Sequence, residues 1–277
     1  MLRTLLLTLS VSIFGNQAHT QTCGDADTPC EIENGSYHIA VPADVEKPGA
    51  FIFLHGSNGH GRSAVKNKGF VKRVNDRGYA LLAPTGAPQG IGGGRDWGVN
   101  DGLPDDRDDV AYMRAVIDDA VERFNIDRDH IVLTGFSRGG SMVWDIACAA
   151  PDTATAYAAV AGAFWEPFVE TCAAPVDLHH THGFKDRMVP LEGRQGVWKG
   201  FNFHQGNVLK AVDIWREVNG CTGRADSSVT EDGSWRKLWS GCSAGSIALT
   251  VWPGGHGLPK GWSNTVLDWF EDNKNGS

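Results

Sequence analysis

Three residues of this sequence, Ser137, Asp186 and His256, have side chains that together can carry out nucleophilic acyl transfer. A serine hydroxyl is a poor nucleophile until a base removes its proton, and histidine does this when a carboxylate fixes its tautomer. Each of the three lies just past the carboxyl end of a predicted strand. Because the carboxyl ends of parallel strands meet at one edge of a sheet, we expect these side chains to lie together.

The segment around Ser137 carries the most specific signal. An apolar run at 131–133 indicates a strand buried on both faces, and apolar residues recur at helical spacing over 142–149. Ser137 lies between these elements, flanked by Gly135 and Gly139. A serine on such a sharp strand-to-helix turn is the nucleophile elbow of an α/β hydrolase, where side chains at the glycine positions would collide with the strand or helix. We therefore predict Ser137 as the nucleophile.

The G-x-S-x-G pattern alone is weak evidence in a chain with 35 glycines, and it occurs a second time around Ser243. No buried strand precedes that second match, and residues 246–252 after it have the composition of a strand. An elbow needs a strand before the serine and a helix after it. The context favours Ser137 over Ser243.

A glycine-rich loop, residues 55–61, follows the apolar strand predicted over 50–54. In α/β hydrolases this loop supplies one backbone N–H of the oxyanion hole, and the residue after the nucleophile supplies the other. We predict Ser57 and Arg138 as these two donors. The alternative is that the loop is only a tight crossover between strand and helix.

The predicted acid and base each follow a later strand. Asp186 lies three residues beyond Gly183, which ends the strand predicted over 176–183, and His256 lies in a glycine-rich loop after the strand 246–252. Asp177 is a weaker candidate for the acid because it lies inside the strand. The order serine, aspartate, histidine is that of the α/β hydrolases.

Three tryptophans are candidates for the wall of a substrate cleft. Trp97 lies in a long loop (85–101) after a strand, Trp165 follows the strand predicted over 157–161, and Trp198 lies in an aromatic segment between Gly193 and Gly206. Long loops at the carboxyl ends of strands usually carry function. Trp97 could equally be an anchor that packs its own loop.

Two clusters raise the question of a metal ion. His179, His180 and His182 lie on one predicted strand, where neighbouring side chains point to opposite faces and cannot easily share a ligand set. Packing within the strand is therefore favoured. The acidic run 105–109 precedes a helix, where carboxylates stabilise the positive end of the helix dipole; a calcium site is the less favoured alternative because the spacing matches no known calcium loop. No metal or organic cofactor is expected.

The beginning of the chain has the features of a secretory signal peptide. Arg3 precedes an apolar run over 5–14, and Ala18 offers a small residue for cleavage. Residues 19–277 then suit one α/β domain. The net charge of −8 gives no basic surface for nucleic acid, and no later stretch is long and apolar enough for a membrane span. The expected location is secreted or periplasmic, with the oligomeric state left open.

Six cysteines in an exported chain predict three disulfides. Six cysteines allow fifteen pairings, and pairing between sequence neighbours is the interpretation favoured here: Cys23–Cys30, Cys148–Cys172 and Cys221–Cys242. Reactive or metal-binding thiols are the alternative, which the absence of a C-x-x-C spacing disfavours.

Five motifs together resemble one group of esterases. They are H-G-S-N-G, D-D-V-A-Y-M-R, G-F-S-R-G-G-S-M, H-G-F-K-D-R-M-V-P and W-P-G-G-H-G, spread over about 36–270. In this order they resemble the secreted polyhydroxybutyrate depolymerase-like esterases, which are similar to feruloyl and acetylxylan esterases. The resemblance implies an α/β-hydrolase fold with a mostly parallel sheet, the triad Ser137, Asp186 and His256, and a hairpin bracketed by Cys221–Cys242 before the last strand.

The resemblance implies a carboxylic-ester hydrolase that forms an acyl-serine and whose partner is a small or oligomeric ester. The first expectation for its substrate is a short-chain hydroxyalkanoate ester, and the alternative is a feruloyl or acetyl ester of plant polysaccharide. Acyl transfer or peptidase action by the same triad stays open, and so does a non-catalytic binding protein on this scaffold.

Overall fold

The computed structural model describes residues 23–88, 94–100, 107–198 and 200–275, without the side chains of residues 198, 201 and 275. The predicted signal peptide, 1–18, lies outside these residues, as do Asp105 and Asp106 of the acidic run. The leader and its cleavage therefore stay a prediction.

A ten-stranded sheet forms the centre of the domain. In chain order the strands are β1 (Cys30–Ile32), β2 (Gly35–Ala40), β3 (Gly49–Leu54), β4 (Tyr79–Pro84), β5 (Ala87–Pro88), β6 (Arg95–Asp96), β7 (Ile131–Phe136), β8 (Ala156–Val160), β9 (Asp177–Gly183), β10 (Arg194–Trp198), β11 (Phe201–Gln205), β12 (Asp226–Val229), β13 (Trp235–Trp239) and β14 (Ser246–Trp252). The sheet order is β1-β2-β4-β3-β7-β8-β9-β14-β13-β12, and β5–β6 and β10–β11 are separate two-stranded ribbons.

The sheet is parallel in its centre and antiparallel at both edges. The pairings β4–β3, β3–β7, β7–β8, β8–β9 and β9–β14 are parallel, whereas β1–β2, β2–β4, β12–β13 and β13–β14 are antiparallel. The central strands are rich in fully buried apolar residues, as expected for strands covered on both faces. This confirms the predicted fold class, a mostly parallel sheet in a single domain.

Six described helices cover the two faces of the sheet: α1 (Gly61–Lys66), α2 (Lys68–Asn75), α3 (Asp109–Phe124), α4 (Arg138–Ala149), α5 (Val208–Val218) and α6 (Trp262–Asn275). One apolar cluster joins α3, α4 and α5 to one face. A second cluster joins α1, α2 and α6 to the opposite face. The carboxyl ends of the parallel strands are left free for loops.

The spacing of the apolar residues in the sequence predicts a single helix over 63–76, whereas the structure has two helices, α1 and α2. Asn67 ends α1 and begins α2, with φ −77° and ψ 88°, and its side chain accepts a hydrogen bond from Phe70 N. Asparagine is a strong helix N-cap because its short side chain satisfies a free backbone N–H. The apolar spacing indicated helix on both sides of Asn67 but did not show the break.

The last helix is longer than the sequence predicts, and the edge strand β12 has no signal in the sequence pattern itself. The sequence predicts a closing helix over 265–270, whereas α6 extends over Trp262–Asn275, because Trp262 is buried against the sheet and polar residues continue the exposed side. The strand β12 is exposed along its whole length, so it lacks the apolar alternation that identifies a strand. The hairpin β12–β13 matches the one that the family resemblance implied.

Three disulfides join the six cysteines, in the predicted neighbour pairs Cys23–Cys30, Cys148–Cys172 and Cys221–Cys242. The second ties the end of α4 to the segment before β9, and the third closes the base of the β12–β13 hairpin. In the described part of the chain, no helix has the combined length and apolar character needed to span a membrane.

Candidate active site

Ser137, Asp186 and His256 form a continuous hydrogen-bonded path. Nδ1 of His256 lies 2.8 Å from Asp186 Oδ2, and its Nε2 lies 2.9 Å from Ser137 Oγ. An ionised carboxylate only accepts hydrogen bonds, so Nδ1 carries the ring proton and Nε2 is left to accept the serine hydroxyl. This arrangement can pass the Ser137 proton to His256 while Asp186, which is 6% exposed, holds the ring.

Ser137 sits on a tight turn between β7 and α4. Its backbone has φ 56° and ψ −121°, a conformation that costs roughly 1–3 kcal/mol for a residue with a side chain. A Cβ at Gly135 would lie 2.2 Å from Gly139 O, and one at Gly139 would lie 2.3 Å from Leu54 O. Backbone atoms fill both places, so the two flanking positions accept only glycine. The serine is thereby held above the sheet edge.

The segment that contains Ser57 runs beside the serine. A Cβ added to Gly56 would lie 3.2 Å from the Cβ of Ser137. On the other side, Arg138 begins α4, and the first N–H groups of a helix lack partners within it. The structure thus places Gly56, the neighbour of Ser57, and Arg138 next to the same serine, at the positive end of the dipole of α4.

Asp96 connects these two segments, a role that the sequence did not indicate. Its Oδ2 accepts the Ser57 hydroxyl at 3.0 Å, and its Oδ1 lies 3.4 Å from Arg138 Nε and accepts Trp97 N at 3.0 Å. The Arg138 Nε also donates to Trp97 O at 3.2 Å. Asp96 is only 9% exposed. Because a buried carboxylate is costly unless its hydrogen bonds are kept, these contacts hold the loop that contains Ser57 in place.

Trp97 does not line a cleft. It is 1% exposed, its Nε1 donates to His55 O at 2.7 Å, and its ring centroid lies 5.0 Å from that of His55. A side chain without accessible surface cannot contact a substrate. The predicted role at the substrate is wrong, and the alternative, a loop anchor, is correct.

Trp165 lies beside the elbow and is partly exposed. Its Nε1 donates to Ser141 Oγ at 3.3 Å, and the Arg138 guanidinium lies 5.1 Å from its ring centroid. Phe203, in the hairpin β10–β11, also packs against Trp165, with 5.9 Å between the ring centroids. Arg138, Trp165 and Phe203 therefore form one aromatic and cationic wall next to Ser137. The side chain of Trp198 lies outside the described residues.

Asp186 is fixed by its own loop. Its Oδ1 accepts hydrogen bonds from Met188 N at 2.8 Å and Val189 N at 2.9 Å, while its Oδ2 faces His256. Asp177, the weaker candidate, bonds Ser246 Oγ at 2.7 Å at the opposite end of β9. The structure thus places Asp186, and not Asp177, against the histidine.

The three strand histidines divide between the two faces of β9. His179 Nε2 lies 3.0 Å from Thr250 Oγ1 on one face, whereas His180 and His182 contact each other on the other face, with 2.9 Å between His180 Nε2 and His182 Nδ1. Burial lowers the pKa of His179 to about 3 and that of His180 well below its usual value. Among the residues that the structure describes, no group of three or more His, Cys, Asp or Glu side chains could hold a metal ion.

The described acidic residues of the run, Asp108 and Asp109, bind the first turn of α3 and the loop that contains Trp97. Asp108 caps the helix by accepting Ala111 N at 2.9 Å. Asp109 pairs with Arg107 at 2.5 Å and accepts Gly98 N at 2.7 Å, and its burial raises its pKa. Asp105 and Asp106, on which the calcium alternative also rests, lie outside the described residues.

The serine of the second G-x-S-x-G match is far from this arrangement. Ser243 is exposed, and its N–H donates to Asn219 O at 2.9 Å in the turn that follows the Cys221–Cys242 disulfide. The segment after it becomes β14, not a helix.

Comparisons with known proteins identify a family and structural relatives of this chain. The sequence profile of the phospholipase/carboxylesterase family matches residues 36–204. Feruloyl esterase C of Emericella nidulans is 27% identical over 286 residues, which cover 96% of this chain and 96% of the relative. Among solved structures, an acetyl xylan esterase from Aspergillus awamori superposes with a TM-score of 0.62 at 16% identity, covering 86% of this chain and 94% of its own. The Bacillus cereus carboxylesterase superposes with a TM-score of 0.58 at 14% identity, covering 87% of this chain and 95% of the carboxylesterase chain.

The family profile spans more than half of the chain, including β7, α4 and the β9 strand that leads to Asp186. The structural neighbours share the fold of a mostly parallel sheet flanked by helices. The chain therefore belongs to the phospholipase/carboxylesterase family of α/β hydrolases and is a carboxylic-ester hydrolase.

Proposed function

We propose that this enzyme hydrolyses esters through an acyl intermediate on Ser137, with His256 as general base and acid and Asp186 as the residue that orients it. The observation that carries the proposal is the hydrogen-bonded path from Asp186 Oδ2 through the two ring nitrogens of His256 to Ser137 Oγ. Each residue has the partner that its role needs.

In the first half-reaction, His256 Nε2 takes the hydroxyl proton as Ser137 Oγ attacks the ester carbonyl carbon. The tetrahedral oxyanion then collapses, the bond to the alcohol oxygen breaks, and the alcohol leaves with the proton from His256. In the second, His256 deprotonates a water molecule that attacks the acyl-serine. The acid departs and the Ser137 hydroxyl is restored.

The negative oxygen of each tetrahedral state would accept the backbone N–H groups of Ser57 and Arg138. Support comes from the position of these residues, one beside Gly56 against the serine and the other at the first turn of α4. Fixed N–H donors of this kind contribute about 10²–10³-fold each to the rate.

For the substrate, we propose a feruloyl ester, such as those that esterify plant polysaccharide, in preference to a hydroxyalkanoate ester. The family resemblance of the motifs favoured the hydroxyalkanoate, but the relatives that match along almost the whole chain are named as feruloyl esterases. The wall of Arg138, Trp165 and Phe203 supports this choice, because an aromatic acyl group can pack on partly exposed aromatic rings. A small acetyl ester would use the same serine without needing this wall.

Export from the cytoplasm is part of the proposal. Three disulfides persist in an oxidising compartment, and a polysaccharide-bound ester lies outside the cell. The predicted leader, 1–18, supports the same location.

Steady-state kinetics on methyl ferulate, p-nitrophenyl acetate and a 3-hydroxybutyrate oligomer test the substrate. We expect kcat/KM for methyl ferulate to exceed that for the oligomer by at least about tenfold, and Trp165→Ala to lower the ferulate value selectively. The matched control is Trp235→Ala, which removes a partly exposed tryptophan on β13. Higher activity on the oligomer would restore the hydroxyalkanoate assignment, and turnover of acetate alone would favour an acetyl esterase.

A further inference from the structure

Two buried histidines connect the helix that carries the nucleophile to the loop that carries the acid. Trp144 of α4 donates its Nε1–H to His180 Nδ1 at 3.2 Å. His180 Nε2 lies 2.9 Å from His182 Nδ1, and His182 Nε2 lies 2.7 Å from the carbonyl oxygen of Val189. We call these three side chains, Trp144, His180 and His182, the histidine bridge.

The chemistry of its two ends fixes the direction of every hydrogen bond in the bridge. An indole N–H can only donate, so His180 Nδ1 is the acceptor and its proton resides on Nε2. A carbonyl can only accept, so His182 carries its proton on Nε2 and accepts from His180 at Nδ1. Each ring therefore bears one proton, in one tautomer, and all three bonds are satisfied.

The surroundings keep both rings neutral. His180 and His182 are fully buried, and burial lowers the pKa of each. The charged or titratable groups that act on His182 besides His180 are Asp186, Glu192 and His256. A second proton on either ring would place an N–H where an acceptor is required, so the low pKa values preserve the bridge.

The far end of the bridge reaches the acid itself. Val189, whose carbonyl accepts from His182, donates its own N–H to Asp186 Oδ1 at 2.9 Å. The Nε2 of His182 also lies 3.7 Å from Asp186 Oδ2, the oxygen that faces His256. His182 thus lies near the carboxylate oxygen that faces His256.

We propose that Trp144, His180 and His182 are positioning residues that set the Asp186 loop relative to the nucleophile helix. None of them touches the proposed reacting atoms. They act through Asp186, which must stay within hydrogen-bond distance of His256 while Ser137 is held by α4. This inference rests on the proposed function, because it requires Asp186 to be the acid of the triad.

Substitution of His182 tests the proposal. His182→Leu removes both bonds and should lower kcat on p-nitrophenyl acetate by about 100-fold, the loss expected when a reacting group is misplaced by about 1 Å. His182→Gln keeps a donor and an acceptor in that place and should recover most of the activity. The control is His179→Leu on the opposite face of β9, which is equally buried but bonds Thr250. Its kcat should stay within about twofold per folded molecule.

A double-mutant cycle separates positioning from general destabilisation. If His182 acts through Asp186, then His182→Leu should change kcat little once Asp186→Ala is present. Equal fold-losses in both backgrounds would overturn the inference, and so would a fully active His182→Leu. If Asp186→Ala alone had no effect, the proposed function would be at fault.

Trp144→Phe is the second test of the bridge, and it replaces His182→Leu if that variant does not fold. It removes only the hydrogen-bond donor at the other end of the bridge and keeps most of the ring volume, and it should lower kcat severalfold. An unchanged kcat in that variant would contradict the bridge.

Discussion

Ser57 donates its hydroxyl to the carboxylate of Asp96, with 3.0 Å between Oγ and Oδ2. The other oxygen of the same carboxylate lies 3.4 Å from Nε of Arg138. The two residues predicted to offer backbone N–H groups to the oxyanion are therefore joined by one buried side chain. Their separation is set by this carboxylate as well as by the sheet.

Asp96→Ala should lower kcat about 10–100-fold with little change in KM, because loosened N–H donors lose stabilisation only in the transition state. Ser57→Ala is the matched comparison, since it removes the hydroxyl but keeps the backbone N–H, and its loss should be smaller. Steady-state kinetics on p-nitrophenyl acetate give both values. A kcat for Asp96→Ala within twofold of wild type would show that the carboxylate does not position the donors.

The elbow predicts a strict requirement for glycine. Gly139→Ala would place a methyl group 2.3 Å from Leu54 O, so either the strand or the helix must move. We expect a loss of several kcal/mol in the free energy of unfolding and loss of activity, measured by thermal unfolding and ester hydrolysis. Gly223→Ala is the control, because a Cβ there meets nothing within 4 Å. Equal stability of the two variants would contradict the close contact.

The disulfides predict that no free thiol is present when the unreduced protein is denatured and titrated with a thiol reagent. Replacing both Cys148 and Cys172 by Ala should lower the free energy of unfolding by about 3 kcal/mol, the loop-entropy value for a separation of 24 residues. Finding two or more free thiols would refute the three-disulfide framework.

Buried neutral histidines make stability depend on pH. Burial lowers the pKa of His55 to about 4 and that of His179 to about 3, whereas both titrate near 6.5 when the chain unfolds. The unfolded state therefore binds more protons below pH 6.5, and stability falls as the pH drops from 6.5 towards 4. Each such histidine contributes a slope of about 1.4 kcal/mol per pH unit. His179→Leu should reduce the slope of the urea midpoint against pH, and an unchanged slope would contradict burial of a neutral ring.

The positions of Ser137, Asp186 and His256 could be predicted because each lies just past the carboxyl end of a strand that the sequence predicts. Parallel strands end at one edge, so order along the chain becomes proximity in space. The glycines of the elbow could be predicted because the tight turn at Ser137 is a local property of the sequence.

Asp96 could not be predicted in this way. Its bond to Ser57 spans 39 residues and depends on how a loop folds back, which no periodicity reports. Trp97 illustrates the same limit: its position in a long loop suggested a cleft, and only its bond to His55 O shows that it is an anchor. The histidine bridge could not be predicted either. Alternation along β9 gives the face on which His180 and His182 lie, but it does not give the position of α4, which carries Trp144, relative to that face.

The most direct test of the central claim compares wild type with Ser137→Ala on p-nitrophenyl acetate. The proposed acyl-serine mechanism predicts that kcat falls by roughly a million-fold while the unfolding temperature is nearly unchanged. A Ser137→Ala protein that keeps wild-type turnover would contradict the assignment of the nucleophile.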